Sequence, residues 1–249
     1  MEGNKDNIRL VIEYDGSGYH GWQKQLHDET IQGTIETVFF NLFKEEISLQ
    51  GASRTDAGVH AKAQVANFFL KKDISPQKIM SALNAKLPRD IVVLEVENVP
   101  NDFNARFGAK GKYYRYVIFN GEFRSPFEND YSLFFPGSLD IAKMQEGADF
   151  LIGTFDFASF GVNPKREIAS TIRTITSIDV IREKEKIYID VYGDSFLYKM
   201  VRSIVGTLLE VGSGRRKPAE VKEILDRKDR CCADKTAEPQ GLYLMKVFY

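Results

Sequence analysis

Ala52-Ser53-Arg54-Thr55-Asp56-Ala57-Gly58-Val59-His60-Ala61 lies between two apolar, strand-like runs, Ile47–Gln50 and Val65–Leu70. Neighbouring strands usually need only a short turn. A longer polar connection that keeps Arg54 and Asp56 together suits a functional loop on a rigid scaffold. It equally suits a plain loop with an internal Arg–Asp salt bridge, where Asp56 is a turn residue and Gly58 supplies φ > 0. The loop alone leaves both readings open.

Working outward, Ile8, Leu10, Ile12 and Tyr14 alternate with the period of a strand. Thr30 can cap a helix whose apolar stripe is Ile31, Ile35, Val38, Phe39 and Leu42. Strands over Glu46–Gln50 and Gln64–Leu70 then flank the quoted loop. Ser75-Pro76 predicts an N-cap followed by proline at the first helical position. Ile79, Leu83 and Leu87 give that helix its buried face, and Pro88 ends it. Ile91–Glu97 reads as a strand. The order β-α-β-β-α-β is that of a ferredoxin-like or split βαβ unit, an antiparallel sheet with helices on one face.

The polar passage Asn101–Lys112 predicts a boundary between a domain of residues 1–105, which carries the Asp56 loop, and one of residues 106–249. The second half repeats the pattern. Tyr113–Asn120 reads as a strand, and Ser138 as the cap of a helix over Leu139–Ile152. A polar loop over Asp156–Ser170 carries Asn163-Pro164-Lys165-Arg166. Strands over Thr171–Ile181 and Lys186–Tyr192 follow. A helix over Phe196–Val211 is stopped by Gly212 and Gly214. A helix over Pro218–Arg227 and a strand over Gly241–Tyr249 complete the chain. The expected class is α+β, with two related units whose antiparallel sheets join around a central cleft. Clefts between domains favour ligand binding.

A chain of 249 residues accommodates one large domain or two small ones. It is long enough to bury a sizeable core without staples. No apolar run reaches membrane-spanning length. The N-terminal MEGNKDNIRL lacks the apolar core of a signal peptide, so a cytoplasmic protein is expected. Net charge is −1, which gives no global argument for a polyanionic partner. The distribution is uneven. Residues 1–105 hold 11 Lys and Arg against 15 Asp and Glu, and residues 106–249 hold 23 against 20. Arg106, Lys110, Lys112 and Arg115 form one basic group. Lys199, Arg202, Arg215, Arg216 and Lys217 form another, which suits a solvated face or phosphate contacts.

Several chemistries lack their motifs. Cys231 and Cys232 are adjacent, without zinc or CxxC spacing; they read as small residues near a helix end. His20, His27 and His60 form no metal-ligand pattern. There is no Walker loop and no GxGxxG turn opening a helix. Neither cofactor nor metal is expected. The loop Asp15-Gly16-Ser17-Gly18-Tyr19-His20-Gly21-Trp22-Gln23-Lys24-Gln25 holds the only Trp. It reads either as a turn whose Trp caps the core or as a substrate-facing loop.

Asp56 remains as a carboxylate that can serve as nucleophile or general base. A partly desolvated carboxylate stays charged beside a cation. An Arg at about 4 Å supplies roughly 4 kcal/mol at an effective dielectric near 20. Arg202 sits in a strongly apolar helix, where it either snorkels to the surface or pairs with a carboxylate from elsewhere. Tyr114 and Tyr116 share one face of a strand, as packing or as a platform for a base. Stacking contributes roughly 1–3 kcal/mol per base, comparable to the few kcal/mol that unstacking costs.

Arg54-Thr55-Asp56-Ala57-Gly58-Val59-His60 resembles the signature of the tRNA pseudouridine synthase A family. The resemblance extends in order along nearly the whole chain. It takes in Tyr14-Asp15-Gly16 with His20-Gly21-Trp22-Gln23, Phe103-Asn104-Ala105-Arg106-Phe107, and Tyr114-Arg115-Tyr116. It continues through Phe196-Leu197, Met200-Val201-Arg202, Ile204-Val205-Gly206-Thr207 and Gly241-Leu242-Tyr243-Leu244. Ser53 departs from the glycine common in bacterial members, beside the catalytic position. The resemblance implies a cofactor-independent isomerase that converts uridine to pseudouridine at positions 38, 39 and 40 of the tRNA anticodon stem-loop. Asp56 would be the nucleophile, attacking at the sugar or at the ring. Tyr114 would stack on the flipped base and is a candidate to help remove the C5 proton. Arg202 would hold Asp56 ionised. Arg54 would fill the space left by the base or contact the backbone. A homodimer with basic clefts for tRNA is implied. A non-catalytic RNA-binding module on the same scaffold, and the same chemistry on another RNA, are the competing readings.

Overall fold

The computed structural model describes residues 6–162 and 170–249; the expected Asn163-Pro164-Lys165-Arg166 loop lies outside the described residues. Two compact units divide the chain. The first is Met1–Lys110 with Leu244–Tyr249, and the second is Gly111–Tyr243. Both are mixed α and β, as expected.

The first unit contains β1 (Asp6–Tyr14), α1 (Ile31–Phe43), β2 (Gln50–Gly51), β3 (His60–Leu70), α2 (Pro76–Asn84) and β4 (Ile91–Val99). β1 lies between β4 and β3, antiparallel to both. Ile8, Leu10 and Ile12 are buried on one face, with Phe68 opposite Ile8. Phe39 of α1 meets Phe68 edge-on at 5.2 Å between ring centres. Ile79 and Leu83 bury the inner face of α2. Each such apolar side chain contributes roughly 1.5–3 kcal/mol when fully buried. Thr30 caps α1 as expected, accepting from the Gly33 N–H at 3.2 Å.

Three boundaries differ from the sequence reading. No strand covers residues 46–49, and β2 is only Gln50–Gly51. Side chains of α1 take the backbone groups that a strand partner would use. Glu36 Oε1 accepts the Leu49 N–H at 2.9 Å, and Gln32 Nε2 donates to the Leu49 carbonyl at 3.2 Å. His60 is not in the loop but opens β3. α2 stops at Asn84, before Pro88, because the Asn84 side chain exchanges two 2.8 Å bonds with the Val93 backbone of β4.

The second unit contains β5 (Gly111–Phe119), β6 (Leu133–Phe134), α3 (Ile141–Asp149), β7 (Gly153–Asp156), β8 (Ile172–Glu183), β9 (Lys186–Gly193), α4 (Met200–Gly212) and α5 (Glu220–Arg227). β10 (Leu242–Phe248) follows, with residues from Leu244 onward in the first unit. The sheet runs β5-β9-β8-β7 in antiparallel register, with β6 parallel to β5. The short strands β6 and β7 escape a periodicity reading because two or four residues carry too little pattern. Asp140, not Ser138, caps α3, accepting from the Lys143 N–H at 3.1 Å.

α4 begins at Met200 rather than Phe196, because Lys199 adopts φ 60°, outside the right-handed helical region. The buried Leu197 continues the apolar spacing through this turn and hides the break. Every α4 residue except Glu210 is buried. Gly206 lets the chain pass closely: a Cβ there would overlap the Lys235 carbonyl. Gly212 still belongs to α4, and Gly214, at φ 79°, turns the chain after it.

Candidate active site

The Ala52–Val59 loop is fastened along its length within the first unit. Ala52 N–H donates to the Val65 carbonyl at 2.8 Å. The buried Gln64 side chain accepts from Ser53 N–H at 3.2 Å and donates to Ser53 O at 2.8 Å. The loop after β1 closes over the other end. Trp22 N–H donates to Thr55 O at 3.1 Å, and Gly58 N–H donates to Tyr19 O at 3.3 Å. The Tyr14 hydroxyl and Thr55 Oγ1 share a buried bond of 2.7 Å. Val59 N–H closes a turn onto Asp56 O at 3.2 Å.

Ser53 and Thr55 are thus buried, Arg54 is exposed and Asp56 is half-buried. Gly58 takes φ 76°, the left-handed conformation anticipated for it. These bonds run through backbone groups and neighbouring side chains, and together they fix the turn that carries Asp56. The sequence indicated the Asp56 loop. It did not indicate that Tyr14, Tyr19 and Trp22 hold it, since no local pattern reports a bond across forty residues.

Trp22 is a core residue, 1% exposed, and its ring lies beside Tyr14. The exposed part of its loop is Ser17, Gly18, His20 and residues 23–29. Gly21 takes φ 90°, and a Cβ there would lie 2.6 Å from Thr55 O and 3.1 Å from the Asp56 carbonyl carbon. Tyr19 is tied to the end of the α2–β4 connection, donating to Asp90 Oδ1 at 2.8 Å. Burial first, and then the Asp90 carboxylate, push its phenol well above the ordinary tyrosine range, so it remains a donor. His60 is buried. Its Nδ1 accepts the Gly16 N–H at 3.1 Å and lies 3.2 Å from Asp15 Oδ1.

In the second unit, Tyr114 and Tyr116 of β5 are both buried. Tyr114 meets Phe196 edge-on at 5.2 Å. The Tyr116 hydroxyl donates to Glu238 O at 2.6 Å. Burial pushes its phenol up, while the Arg202 guanidinium opposes that shift. Arg202 does not snorkel. It is 8% exposed, and its Nε donates to Ala237 O at 2.7 Å while its own carbonyl accepts the Ala237 N–H at 3.0 Å. The 235–238 segment therefore fixes both the backbone and the side chain of Arg202.

The remaining basic residues divide. Arg115 forms two 2.7 Å bonds to Asp190, which raise its pKa further. Arg215 is paired with Glu210, and Arg216 with Asp234 at 2.7 and 3.0 Å. These two are partly neutralised rather than left for phosphate. Cys231 and Cys232 are free thiols around a short 3-10 turn. Among the described residues no cluster of three His, Cys, Asp or Glu could hold a metal ion, and no described helix is long and apolar enough to cross a membrane.

Comparison with known proteins places these residues in a family. A model described as tRNA pseudouridine synthase matches residues 10–108 and 148–249. The tRNA pseudouridine synthase A 2 of Clostridium tetani is 48% identical, over 98% of this chain and 98% of its own length. The tRNA pseudouridine synthase A of Acetivibrio thermocellus is 44% identical, over 98% of this chain and 99% of its own. A chain in the crystal structure of a Cbf5-Nop10-Gar1 complex aligns with 95% of this chain and 57% of its own length, at 12% identity and a TM-score of 0.37. That likeness is too low to define a shared fold. Matched over nearly its full length, with the Asp56 loop inside the matched region, the chain belongs to the tRNA pseudouridine synthase A family of isomerases.

Proposed function

We propose that the protein isomerises uridine to pseudouridine at positions 38, 39 and 40 of the tRNA anticodon stem-loop, in the cytoplasm, with Asp56 as nucleophile. The observation that carries this reading is the Asp56 turn itself. Bonds from neighbouring backbone groups over-determine its position. Preorganisation of this kind is what covalent catalysis requires.

The reaction breaks the bond from ribose C1′ to uracil N1 and forms one from C1′ to uracil C5. The C5 proton is lost to solvent, and N1 gains a proton. Asp56 attacks either the sugar or the ring while the base turns. Tyr114 stacks on the flipped base, and its buried place beside Phe196 limits its rotation. Arg202 supplies the cation that keeps Asp56 ionised, and its guanidinium is held in one orientation through Nε. Arg54 is exposed, which suits a contact to the RNA backbone or to the space left by the base. RNA sites of this kind are read through splayed bases and shape. Function as a homodimer is part of the same proposal.

The test is incubation of the pure protein with an anticodon stem-loop carrying C5-tritiated uridine. Tritium is expected to appear in water in step with pseudouridine at those positions. A protein that binds the RNA but releases no tritium would be the non-catalytic module instead. Release from other RNAs, with positions 38–40 untouched, would change the substrate.

The loop packing gives a further expectation. Gly21→Ala forces a side chain against Thr55 O and into an unfavourable φ. Either the Asp56 turn moves or strain accumulates. Displacements near 1 Å can cost about a hundredfold, so the single-turnover rate should fall by roughly ten- to hundredfold. Circular dichroism should show unchanged secondary structure. A wild-type rate would mean that the loop contact does not position Asp56.

A further inference from the structure

Two asparagines are buried in the first unit, Asn7 on β1 and Asn67 on β3, each 1% exposed. Buried amides are costly unless bonded, and both are used on one short segment. Asn67 Nδ2 donates to Asn7 Oδ1 at 2.9 Å. Asn7 Nδ2 donates to Pro100 O at 3.0 Å and to Phe103 O at 2.9 Å. Asn67 Oδ1 accepts the Ala105 N–H at 2.9 Å. Tyr249 adds a hydroxyl bond to Ala105 O at 2.7 Å and a ring contact to Phe103.

The segment then turns on Asn104. Its Oδ1 accepts the N–H groups of Arg106 and Phe107 at 2.9 and 3.0 Å. Its backbone carbonyl accepts the Gly108 N–H at 2.8 Å, and its Nδ2 donates to Gln50 at 2.8 Å. The backbone is therefore fixed on both sides of Phe107. Yet the Phe107 ring is 79% exposed, and the exposed Arg106 guanidinium lies 5.2 Å from its centre.

A single exposed apolar residue is ordinary. A turn built on buried amides to hold one outward is not explained by core packing. The arrangement displays one aromatic ring with a cation over it, in a backbone that has already lost its freedom. Little further entropy is lost when such a ring is engaged. One ring offers too little area for a subunit interface. An aromatic face beside a guanidinium is the chemistry that engages an unpaired base and its phosphate.

We infer that Arg106 and Phe107 form an RNA contact site, with Phe107 stacking on an unpaired base and Arg106 reaching an adjacent phosphate. The inference rests on the RNA-substrate reading above. Asn7, Asn67 and Asn104 act as positioning residues for it.

The test measures binding of an unmodified tRNA transcript to the full chain, beside the tritium assay. Phe107→Ala should weaken binding about tenfold, with an unchanged melting temperature and oligomeric state. Phe107→Leu should weaken it similarly. Phe107→Trp should bind as the wild type does, and its emission, distinct from that of the buried Trp22, should be quenched by the transcript. Arg106→Ala should flatten the log–log salt dependence by about one. Binding by Phe107→Ala within twofold of wild type overturns the inference, as does wild-type binding by Phe107→Leu. A changed oligomeric state in Phe107→Ala overturns it by making the ring a subunit contact. Wild-type protein that neither binds nor isomerises the transcript removes the RNA reading and this inference with it. Wild-type protein that does both, beside an unaffected Phe107→Ala, removes this inference alone.

Discussion

Asp56→Asn is expected to reduce pseudouridine formation by at least about a thousandfold, roughly 4 kcal/mol of transition-state stabilisation, while tRNA affinity changes by no more than about threefold. The substitution keeps the size of the side chain and removes its charge and nucleophilicity. The turn that carries it is held by Trp22 N–H on Thr55 O, Gly58 N–H on Tyr19 O and Val59 N–H on Asp56 O. All three are bonds between backbone groups, which a side-chain substitution of the same size leaves in place. Tritium release under single-turnover conditions measures the loss, and filter binding measures the affinity. Product within tenfold of wild type would remove Asp56 as nucleophile. A parallel collapse of tRNA affinity would instead assign it to binding.

The second large effect is expected at Arg202. Arg202→Ala removes a buried guanidinium and leaves the Ala237 carbonyl without its Nε donor. An orphaned buried acceptor costs roughly 1–3 kcal/mol, so a moderate loss of stability should accompany the variant. The expected fall in turnover is larger, about a hundredfold, because the proposed role is to keep a partly desolvated carboxylate charged. Arg202→Lys separates the two contributions. It retains a positive charge but not the planar fork that bonds Ala237 O. It should recover part of the rate while remaining as destabilised as Arg202→Ala. If both variants lose stability equally and neither loses turnover, Arg202 is structural, a clasp between α4 and the 235–238 segment.

Much of the architecture was legible from the chain because it rests on local physics. Thr30 caps α1 through a bond three residues away, and Ile31, Ile35 and Phe39 recur at helical spacing. The failures share a cause. The alternation over residues 46–49 reads as a strand, yet Gln32 and Glu36 capture the Leu49 backbone. The stripe through Leu197 reads as helix, yet Lys199 breaks it with φ 60°. In both, a contact or dihedral that periodicity does not encode decided the outcome.

For the site, the residues Arg54-Thr55-Asp56-Ala57-Gly58-Val59-His60 and their companions identified the family without coordinates, because ordered motifs over a whole chain are specific. They also singled out Arg202 as an arginine on an apolar helix. Only the tertiary structure could show that Arg202 is buried and bonded through Nε rather than snorkelled. Only it could show that Trp22 is a core wedge and that Tyr14 and Thr55 meet in the interior. It alone showed that two buried asparagines hold the Phe107 turn outward. The physical reason is range. Caps, turns and periodicity act over a few residues and are written in the local sequence. A hydrogen bond between residues forty or a hundred positions apart exists only once the sheets have formed.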